Sequence, residues 1–158
     1  MHDRELVERI RDTFPQELLE LDQWVLWRRV ERNGRATKQP YTPAGTLASS
    51  TGPGTWSPFD QAARAYDAGT FDGLGFVFSD VDPYCGIDFD AHSDGGQLDD
   101  WALERVNRLD SYTEWSPSGA GVHVIVRAAL PGSGRNSRDM GLEMYLSLIH
   151  ISEPTRPY

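Results

Sequence analysis

The sequence predicts an α+β domain in which a mainly antiparallel sheet is flanked by helices. Apolar residues recur at helical spacing in some segments and alternate with polar residues in others. The two patterns follow one another without a regular βαβ order, and Asn33-Gly34 marks a tight hairpin. The 158 residues, 39% hydrophobic and 11% aromatic, are sufficient for one ordinary core.

Periodicity and turn residues assign the elements of the first half of the chain. Pro15 ends an apolar helical stripe, and Asn33-Gly34 joins two strands. Ser57 followed by Pro58 is typical of a helix N-cap with proline at the first helical position. The predicted elements are a helix over residues 5–14, a helical turn or loop over 18–22, a strand over 24–31, a return strand over 36–41, a loop over 42–56 and a helix over 58–68.

Strands dominate the second half of the chain, with one helix among them. A polar turn containing Pro83 joins two apolar runs, which we expect to form a strand pair. The amphipathic helix is expected to bury Trp101, Leu103, Val106 and Leu109. The predicted elements are strands over 73–79 and 84–90, a helix over 98–109, an extended segment over 111–115, a strand over 122–127, a flexible loop over 131–139 and a last strand over 142–145.

Composition and charge narrow the functional classes. The single cysteine, Cys85, excludes an intramolecular disulfide framework and a cysteine-based zinc site. No apolar run has the length of a signal peptide or a membrane span, so we expect a cytoplasmic domain with no membrane partner. A net charge of −9 argues at first against a nucleic-acid partner. However, residues 80–110 hold nine acids and two bases, and such acidity suits a divalent-metal site or a solvated helix face.

Asp88 and Asp90 belong to the most informative pattern, Ile87-Asp88-Phe89-Asp90. Strand alternation sends the two apolar residues to one face and both acids to the other, with their Cα atoms roughly 7 Å apart. Two such carboxylates repel each other, whereas Mg²⁺ or Mn²⁺ binds carboxylates together with substrate phosphates. The alternative is that both acids simply face water at the end of the strand.

His123 gives a second polar position on a strand that is otherwise apolar. Alternation is expected to turn the valines of residues 122–126 inward and to place His123, Ile125 and Arg127 on the other face. The Ser/Gly turn before this strand has amides and hydroxyls that suit phosphate oxygens. Taken alone, a strand histidine beside a glycine turn is more often structural.

Glu143 is the third such position, between Leu142 and Met144. A single glutamate on a strand is commonly a surface acid. Its significance comes from the pattern shared by three strands, in which an acid or an imidazole is opposed to a strongly apolar face.

Together, these motifs resemble the primase-polymerase (prim-pol) domain of the archaeo-eukaryotic primase superfamily, in the branch carried by phage and plasmid replication proteins. The resemblance covers most of residues 18–145 and implies the α+β catalytic core of that family. The main matching elements are Gly86-Ile-Asp-Phe-Asp90, Ser116-Pro-Ser-Gly-Ala-Gly-Val-His123 and Leu142-Glu-Met-Tyr145. The stretches Gln23-Trp-Val-Leu-Trp27, Thr37-Lys-Gln-Pro-Tyr41 and Gly73-Leu-Gly-Phe-Val-Phe78 also look familial.

The resemblance implies two-metal nucleotidyl transfer on a single-stranded DNA template. Asp88, Asp90 and Glu143 are then the catalytic ligands of Mg²⁺ or Mn²⁺. His123, and more weakly Ser118, are contacts of the phosphates of an incoming dNTP or NTP. Such proteins often carry a helicase domain further along the chain. Further phosphate contacts are sought among Arg28, Lys38, Arg127 and Arg135.

Residues 146–158 depart from the family pattern. They lack the Arg-containing strand and the Thr-Gly segment expected after the third motif, and they resemble the in-frame translation of a transposase-based sequencing adapter. We therefore expect residues 1–145 to be the N-terminal part of an incomplete primase-polymerase domain and residues 146–158 to be a non-native tail. The alternative is a genuine amphipathic tail, and its Leu/Ile spacing permits a strand.

Three classes of function remain open from the sequence. The leading hypothesis is a DNA primase-polymerase of a phage, prophage or plasmid replication system, present here as a truncated fragment. The second is a nucleotide-binding or nucleic-acid-binding module without catalysis. The third is a metal-dependent phosphohydrolase or nuclease that uses the same acids.

Overall fold

The computed structural model describes residues 4–90, 92–93, 97–116, 121–128, 135–137, 142–145 and 148–151. Its helices are α1 (Arg4–Thr13), α2 (Gln16–Leu19), α3 (Phe59–Asp67) and α4 (Asp100–Leu109), with a 3-10 turn over Pro53–Thr55. Its strands are β1 (Trp24–Arg32), β2 (Arg35–Tyr41), β3 (Gly73–Val77), β4 (Tyr84–Phe89), β5 (His92–Ser93), β6 (Gln97–Leu98), β7 (Thr113–Trp115), β8 (Val122–Arg127), β9 (Arg135–Ser137), β10 (Leu142–Tyr145) and β11 (Leu148–Ile151).

The predicted α+β class is confirmed. Every strand pair in the described ranges is antiparallel. The strands form a four-stranded sheet of order β11-β3-β1-β2, a five-stranded sheet of order β7-β8-β4-β10-β9, and a two-stranded β5-β6 ribbon. The chain divides into two compact units, the first built from residues 4–77 and β11, the second from the described residues between 78 and 145.

Trp24 lies at the centre of the core of the first unit and is fully buried. Its ring stands edge-on to three phenylalanines, with centroids 4.8 Å from Phe59, 5.3 Å from Phe14 and 5.4 Å from Phe76. Each such pair contributes about 0.5–1.5 kcal/mol beyond the area it buries. The indole N–H donates to the carbonyl oxygen of Leu18 at 3.1 Å, so the polar edge of the ring is also satisfied.

The β1–β2 hairpin follows the sequence prediction. Asn33 and Gly34 have φ values of 51° and 73°, which is the left-handed backbone that a two-residue type I′ turn requires. Arg32 pairs with Arg35 directly beside this turn. The hairpin therefore owes its register to the two turn residues.

Ser57 is not the helix N-cap that the sequence predicts. Its hydroxyl donates to the carbonyl oxygen of Trp24 at 3.1 Å, and its backbone N–H donates to the same oxygen at 2.8 Å. Pro58 directly precedes α3, which has no side-chain cap. The Ser57 hydroxyl is therefore bonded to the Trp24 carbonyl oxygen of β1, and it does not cap α3.

The expected pairing of the strands near residues 73–79 and 84–90 is wrong, because β3 and β4 belong to different sheets. The Asp82 carboxylate organises the connection. It accepts hydrogen bonds from the backbone N–H and hydroxyl of Ser79 and from the backbone N–H of Tyr84. The polar segment containing Pro83 is therefore a crossing between sheets rather than a hairpin.

Helix α4 covers one face of the five-stranded sheet. Its Ala102 and Val106 are buried against Ile87, Phe89, Val122 and Val124, with Trp101 and Leu103 partly buried at the edge. The sequence prediction is wrong for Leu109, which is 37% exposed, while Ala102 is fully buried. The predicted loop over 131–139 also contains a strand, β9, which pairs with β10.

Strand β11 lies in the segment predicted to be a non-native tail. It pairs with β3 in an antiparallel register that sets Leu148 opposite Val77. The origin of residues 146–158 and the boundary at residue 145 stay predictions. No helix in the described ranges is both long enough and apolar enough to cross a membrane.

Candidate active site

Polar residues from neighbouring strands stand in register across the five-stranded sheet. His123 of β8 is opposite Glu114 of β7 on one side and Asp88 of β4 on the other. Asp88 is in turn opposite Glu143 of β10. We call Glu114, His123, Asp88 and Glu143 the polar row. Three of its members are predicted site residues, and they come from segments well separated in the sequence.

Asp88 is the member of the row that stands between His123 and Glu143. Its neighbours along β4, Ile87 and Phe89, are buried in the core under α4, while the Asp88 side chain is 30% exposed. Strand alternation therefore separates acid from apolar residues as predicted. Asp90 follows the end of β4 and is exposed.

His123 is buried, with only 7% of the residue exposed. Its Nε2 lies 3.7 Å from Asp88 Oδ1, slightly beyond hydrogen-bond length. The sequence predicts that only one face of β8 is turned inward. In the structure Val122 and Val124 are buried as expected, and His123 and Ile125 on the other face are buried as well. Both faces of the strand are covered over this stretch.

Glu114 is the residue that the sequence interpretation missed. It is 1% exposed, its Oε2 accepts a hydrogen bond from the Tyr112 hydroxyl at 3.0 Å, and its Oε1 lies 3.6 Å from His123 Nδ1. The feature that could have identified Glu114 is the pairing register of β7 with β8. In this register residue 114 stands directly opposite residue 123.

Gly121 closes this hairpin beside the row. Its carbonyl oxygen accepts the backbone N–H of Ser116 at 2.9 Å, and its own N–H donates to the Ser116 hydroxyl at 3.3 Å. A Cβ at position 121 would stand 2.0 Å from the carbonyl oxygen of Phe89. The glycine in the second motif is therefore required by the close approach of β4.

Parts of the predicted site lie outside the described residues. Ser118 belongs to the stretch 117–120, which the structure does not describe. For Glu143 and Arg135 only the backbone is described, Glu143 opposite Asp88 and Arg135 opposite Met144. Their roles stay predictions.

The basic side chain of Arg28, a predicted phosphate contact, packs between aromatic rings in the first unit. Its guanidinium carbon lies 4.5 Å from the centroid of Phe71 and 4.8 Å from that of Tyr41. Its Nε donates to the Thr70 carbonyl oxygen at 2.8 Å. These contacts give Arg28 a structural role of its own.

Lys38 and Arg127 also stand over aromatic rings. The Lys38 ammonium is 5.0 Å from the Trp27 centroid, and partial burial, with a smaller effect of the Arg29 charge, lowers the pKa of Lys38. The exposed Arg127 lies 5.9 Å from the centroid of Tyr84. Contacts of either cation with phosphate stay predictions.

The carboxylates predicted to bind metal are oxygen donors, the kind that Mg²⁺ and Mn²⁺ prefer. Within the described ranges no three His, Cys, Asp or Glu side chains are grouped closely enough to hold a metal ion. The accessible donors are the carboxylate oxygens of Asp88 and Asp90, and the register brings Glu143 opposite Asp88. Hard divalent cations prefer such oxygen ligands, whereas zinc prefers nitrogen and sulfur.

An antiparallel sheet that carries carboxylates and a histidine in one row provides the residue types that metal-dependent phosphoryl-transfer enzymes use. Comparison with known proteins is more specific. The chain is 41% identical over 112 residues to the "DNA Primase-polymerase" of Nitratiruptor phage NrS-1, an alignment that covers 69% of this chain and 15% of that protein. No family model matches the chain.

The alignment confirms the resemblance that the three motifs indicate. The matched part of the chain is related to a phage primase-polymerase. The chain spans only about 15% of the length of that relative.

Proposed function

We propose that this chain contributes the catalytic sheet of a DNA primase-polymerase of a phage, prophage or plasmid replication system. The supporting observation is the polar row, in which His123, Asp88 and Glu143 occupy directly opposed positions on three adjacent strands. Residues directly opposite in an antiparallel sheet share a face and interact. The relationship to a phage primase-polymerase gives this row its chemical interpretation.

In this proposal Asp88, Asp90 and Glu143 hold Mg²⁺ or Mn²⁺. Divalent ions held by these residues would supply Lewis-acid activation of the attacking 3′-hydroxyl and charge stabilisation of the leaving pyrophosphate. His123 and Ser118 contact the phosphates of the incoming dNTP or NTP, so they orient the nucleotide. The acidity of residues 80–110 supports the proposal, because two divalent ions offset about four of the seven excess negative charges.

The proposed template is single-stranded DNA, and the β1–β2 hairpin is the part of the first unit suited to its backbone. Residues 24–41 hold five basic residues and one acid, a local charge of +4 in a chain of net charge −9. Cationic side chains on a nucleic-acid strand release counterions, which is the main source of sequence-independent affinity. In this proposal a helicase domain of the full-length protein supplies the unwound strand.

Template-directed primer extension with Mg²⁺ or Mn²⁺ tests the proposal. We expect incorporation by the full-length protein, and loss of at least about 100-fold in its Asp88→Asn variant, because that substitution removes a charged ligand without changing the size of the side chain. Asp67→Asn is the matched control, since Asp67 is exposed at the end of α3 and remote in sequence from the row.

Other outcomes would replace the proposal with one of its alternatives. Equal incorporation by Asp88→Asn and Asp67→Asn would contradict the assigned site. Cleavage of nucleic acid without any incorporation would favour a nuclease or phosphohydrolase. Binding of nucleotide or DNA with neither reaction would favour a non-catalytic module.

A further inference from the structure

Glu114 is a buried carboxylate whose hydrogen bonds are incomplete. Its residue is 1% exposed, and Oε2 is bound by the Tyr112 hydroxyl. Its other oxygen, Oε1, has no hydrogen-bond partner within the described ranges, and neither has Nδ1 of His123. These two atoms are 3.6 Å apart. A buried acceptor without a donor therefore faces a buried nitrogen without a partner.

Burial makes this arrangement costly unless the two groups interact. An unsatisfied buried polar group costs about 1–3 kcal/mol, and more when it is charged. The separation exceeds an ordinary N–H···O bond by roughly 0.7 Å, a distance that small side-chain rotations cover. The strand register already sets the two residues opposite each other, so no backbone rearrangement is needed.

We propose that Glu114 is a positioning residue that accepts a hydrogen bond from Nδ1–H of His123 and so fixes the orientation of the imidazole. The ring then keeps Nε2 on the side of Asp88, where the distance to Oδ1 is 3.7 Å. The Tyr112 hydroxyl in turn holds Glu114. The proposal rests on the proposed function, because it assigns the orientation of the histidine that contacts the nucleotide phosphates.

Tyr112 is itself fixed by the sheet. Its carbonyl oxygen accepts the backbone N–H of Ile125, two residues beyond His123 on the same strand, at 2.9 Å. Tyr112 directly precedes β7, Glu114 lies on β7 and His123 lies on the paired strand β8. The Tyr112 side chain therefore contacts Glu114, which in turn faces His123. Outer partners that accept the second ring N–H of metal-binding histidines fix the ring orientation and affect activity by about 10- to 100-fold, and we expect an effect of this size for a phosphate-binding histidine.

Two substitutions of nearly equal size test the role of the acceptor. Glu114→Met removes the acceptor, whereas Glu114→Gln keeps a carbonyl oxygen that can accept from Nδ1–H. We expect nucleotide incorporation by Glu114→Met to fall about 10- to 100-fold in kcat/KM, mainly through a higher KM for the nucleotide. Glu114→Gln is expected to recover most of this loss, and Glu104→Gln, on the exposed face of α4, is expected to behave as the wild type.

A double substitution separates positioning from general support of the fold. If Glu114 acts through His123, then Glu114→Met combined with His123→Ala loses no more activity than His123→Ala alone. Multiplied losses in the double variant, or a fall in kcat at unchanged KM, would overturn the proposal. So would equal activity of Glu114→Met and the wild type in a protein that His123→Ala inactivates.

Nitrogen NMR of the histidine side chains provides a readout that is independent of catalysis. We expect a protonated Nδ1 on His123 in the wild type, identified by its loss in His123→Ala, and a changed Nδ1 environment in Glu114→Met. An unprotonated Nδ1 in the wild type would overturn the proposal. If incorporation is absent in every variant while this signal behaves as expected, the proposed function fails and the Glu114–His123 contact stands.

Discussion

Gly121 and Phe89 approach so closely that a Cβ on the glycine would lie 2.0 Å from the phenylalanine carbonyl oxygen. The same Cβ would lie 3.2 Å from Cα of Asp90. All of the nearest atoms belong to backbone, which cannot move aside as a flexible side chain does. This contact joins the start of β8 to the end of β4, the two strands that bear His123 and Asp88.

We predict that Gly121→Ala destabilises the protein by about 1–3 kcal/mol or more, because either strand must shift to admit the methyl group. Gly54→Ala is the control, since a Cβ at position 54 meets no atom within 4 Å. Urea unfolding of the two variants measures the difference. Equal midpoints would contradict the close approach of the two strands.

Divalent ions are expected to stabilise the protein through the carboxylates of the row. Without metal, Asp88→Asn should be as stable as the wild type or slightly more stable, because it removes repulsion among neighbouring acids. With Mn²⁺ at 100 times its Kd, the wild type should gain about 2.7 kcal/mol and the variant much less. Thermal unfolding with and without Mn²⁺ measures both effects. An undiminished gain in Asp88→Asn, compared with Asp67→Asn, would exclude Asp88 as a ligand.

Removing charge from the tip of the hairpin is expected to weaken binding of single-stranded DNA. Arg32 and Arg35 are both exposed. If both contact phosphates, replacing them by glutamine should reduce the slope of log K against log salt by about 1.4, since each contact contributes about 0.7. Fluorescence anisotropy at several salt concentrations measures this slope. The double variant Arg64→Gln, Arg108→Gln removes the same charge elsewhere on the protein and serves as the control. An equal reduction of the slope in this control would indicate that binding depends on overall charge and not on the hairpin.

Cys85 predicts a dependence of stability on alkaline pH. Burial, with a smaller effect of the Asp82 charge, raises the pKa of the Cys85 thiol. The folded state then keeps the thiol proton at pH values where the unfolded state has lost it. The free energy of unfolding therefore falls as the pH rises from the unfolded pKa through the folded pKa. Urea midpoints across this range should fall less steeply in Cys85→Ala, and equal slopes would contradict the prediction.

Local patterns were sufficient to predict much of the fold. Alternation along residues 87–90 separates acids from core residues, and Asn33-Gly34 determines a turn almost by itself, because both signals depend only on neighbours in the chain. The partner of a strand depends instead on distant segments. For this reason β3 and β4, adjacent in sequence, were expected to pair but join different sheets.

The residues of the candidate site also differ in whether the local sequence reveals them. Asp88, His123 and Glu143 are recognisable because each interrupts an apolar strand, a property of the local sequence. Glu114 is not recognisable in this way, since its short strand has no strongly apolar run. For Ser57 a local pattern gave a wrong prediction. The sequence predicts a helix N-cap, but the hydroxyl donates instead to the Trp24 carbonyl oxygen, which is distant in sequence.

Strand β4 is central in the five-stranded sheet, and its two neighbours come from segments that follow it by more than thirty and more than fifty residues. The β7–β8 hairpin is a local pairing that sets Glu114 opposite His123, but it contains none of the acids proposed to bind metal. Pairing with β4 and then β10 requires long loops to close, which is the slow part of folding an antiparallel sheet. We therefore expect metal binding at the row to require the long-range pairings of β4 with β8 and β10, since the local β7–β8 pairing brings in the histidine without Asp88 or Glu143.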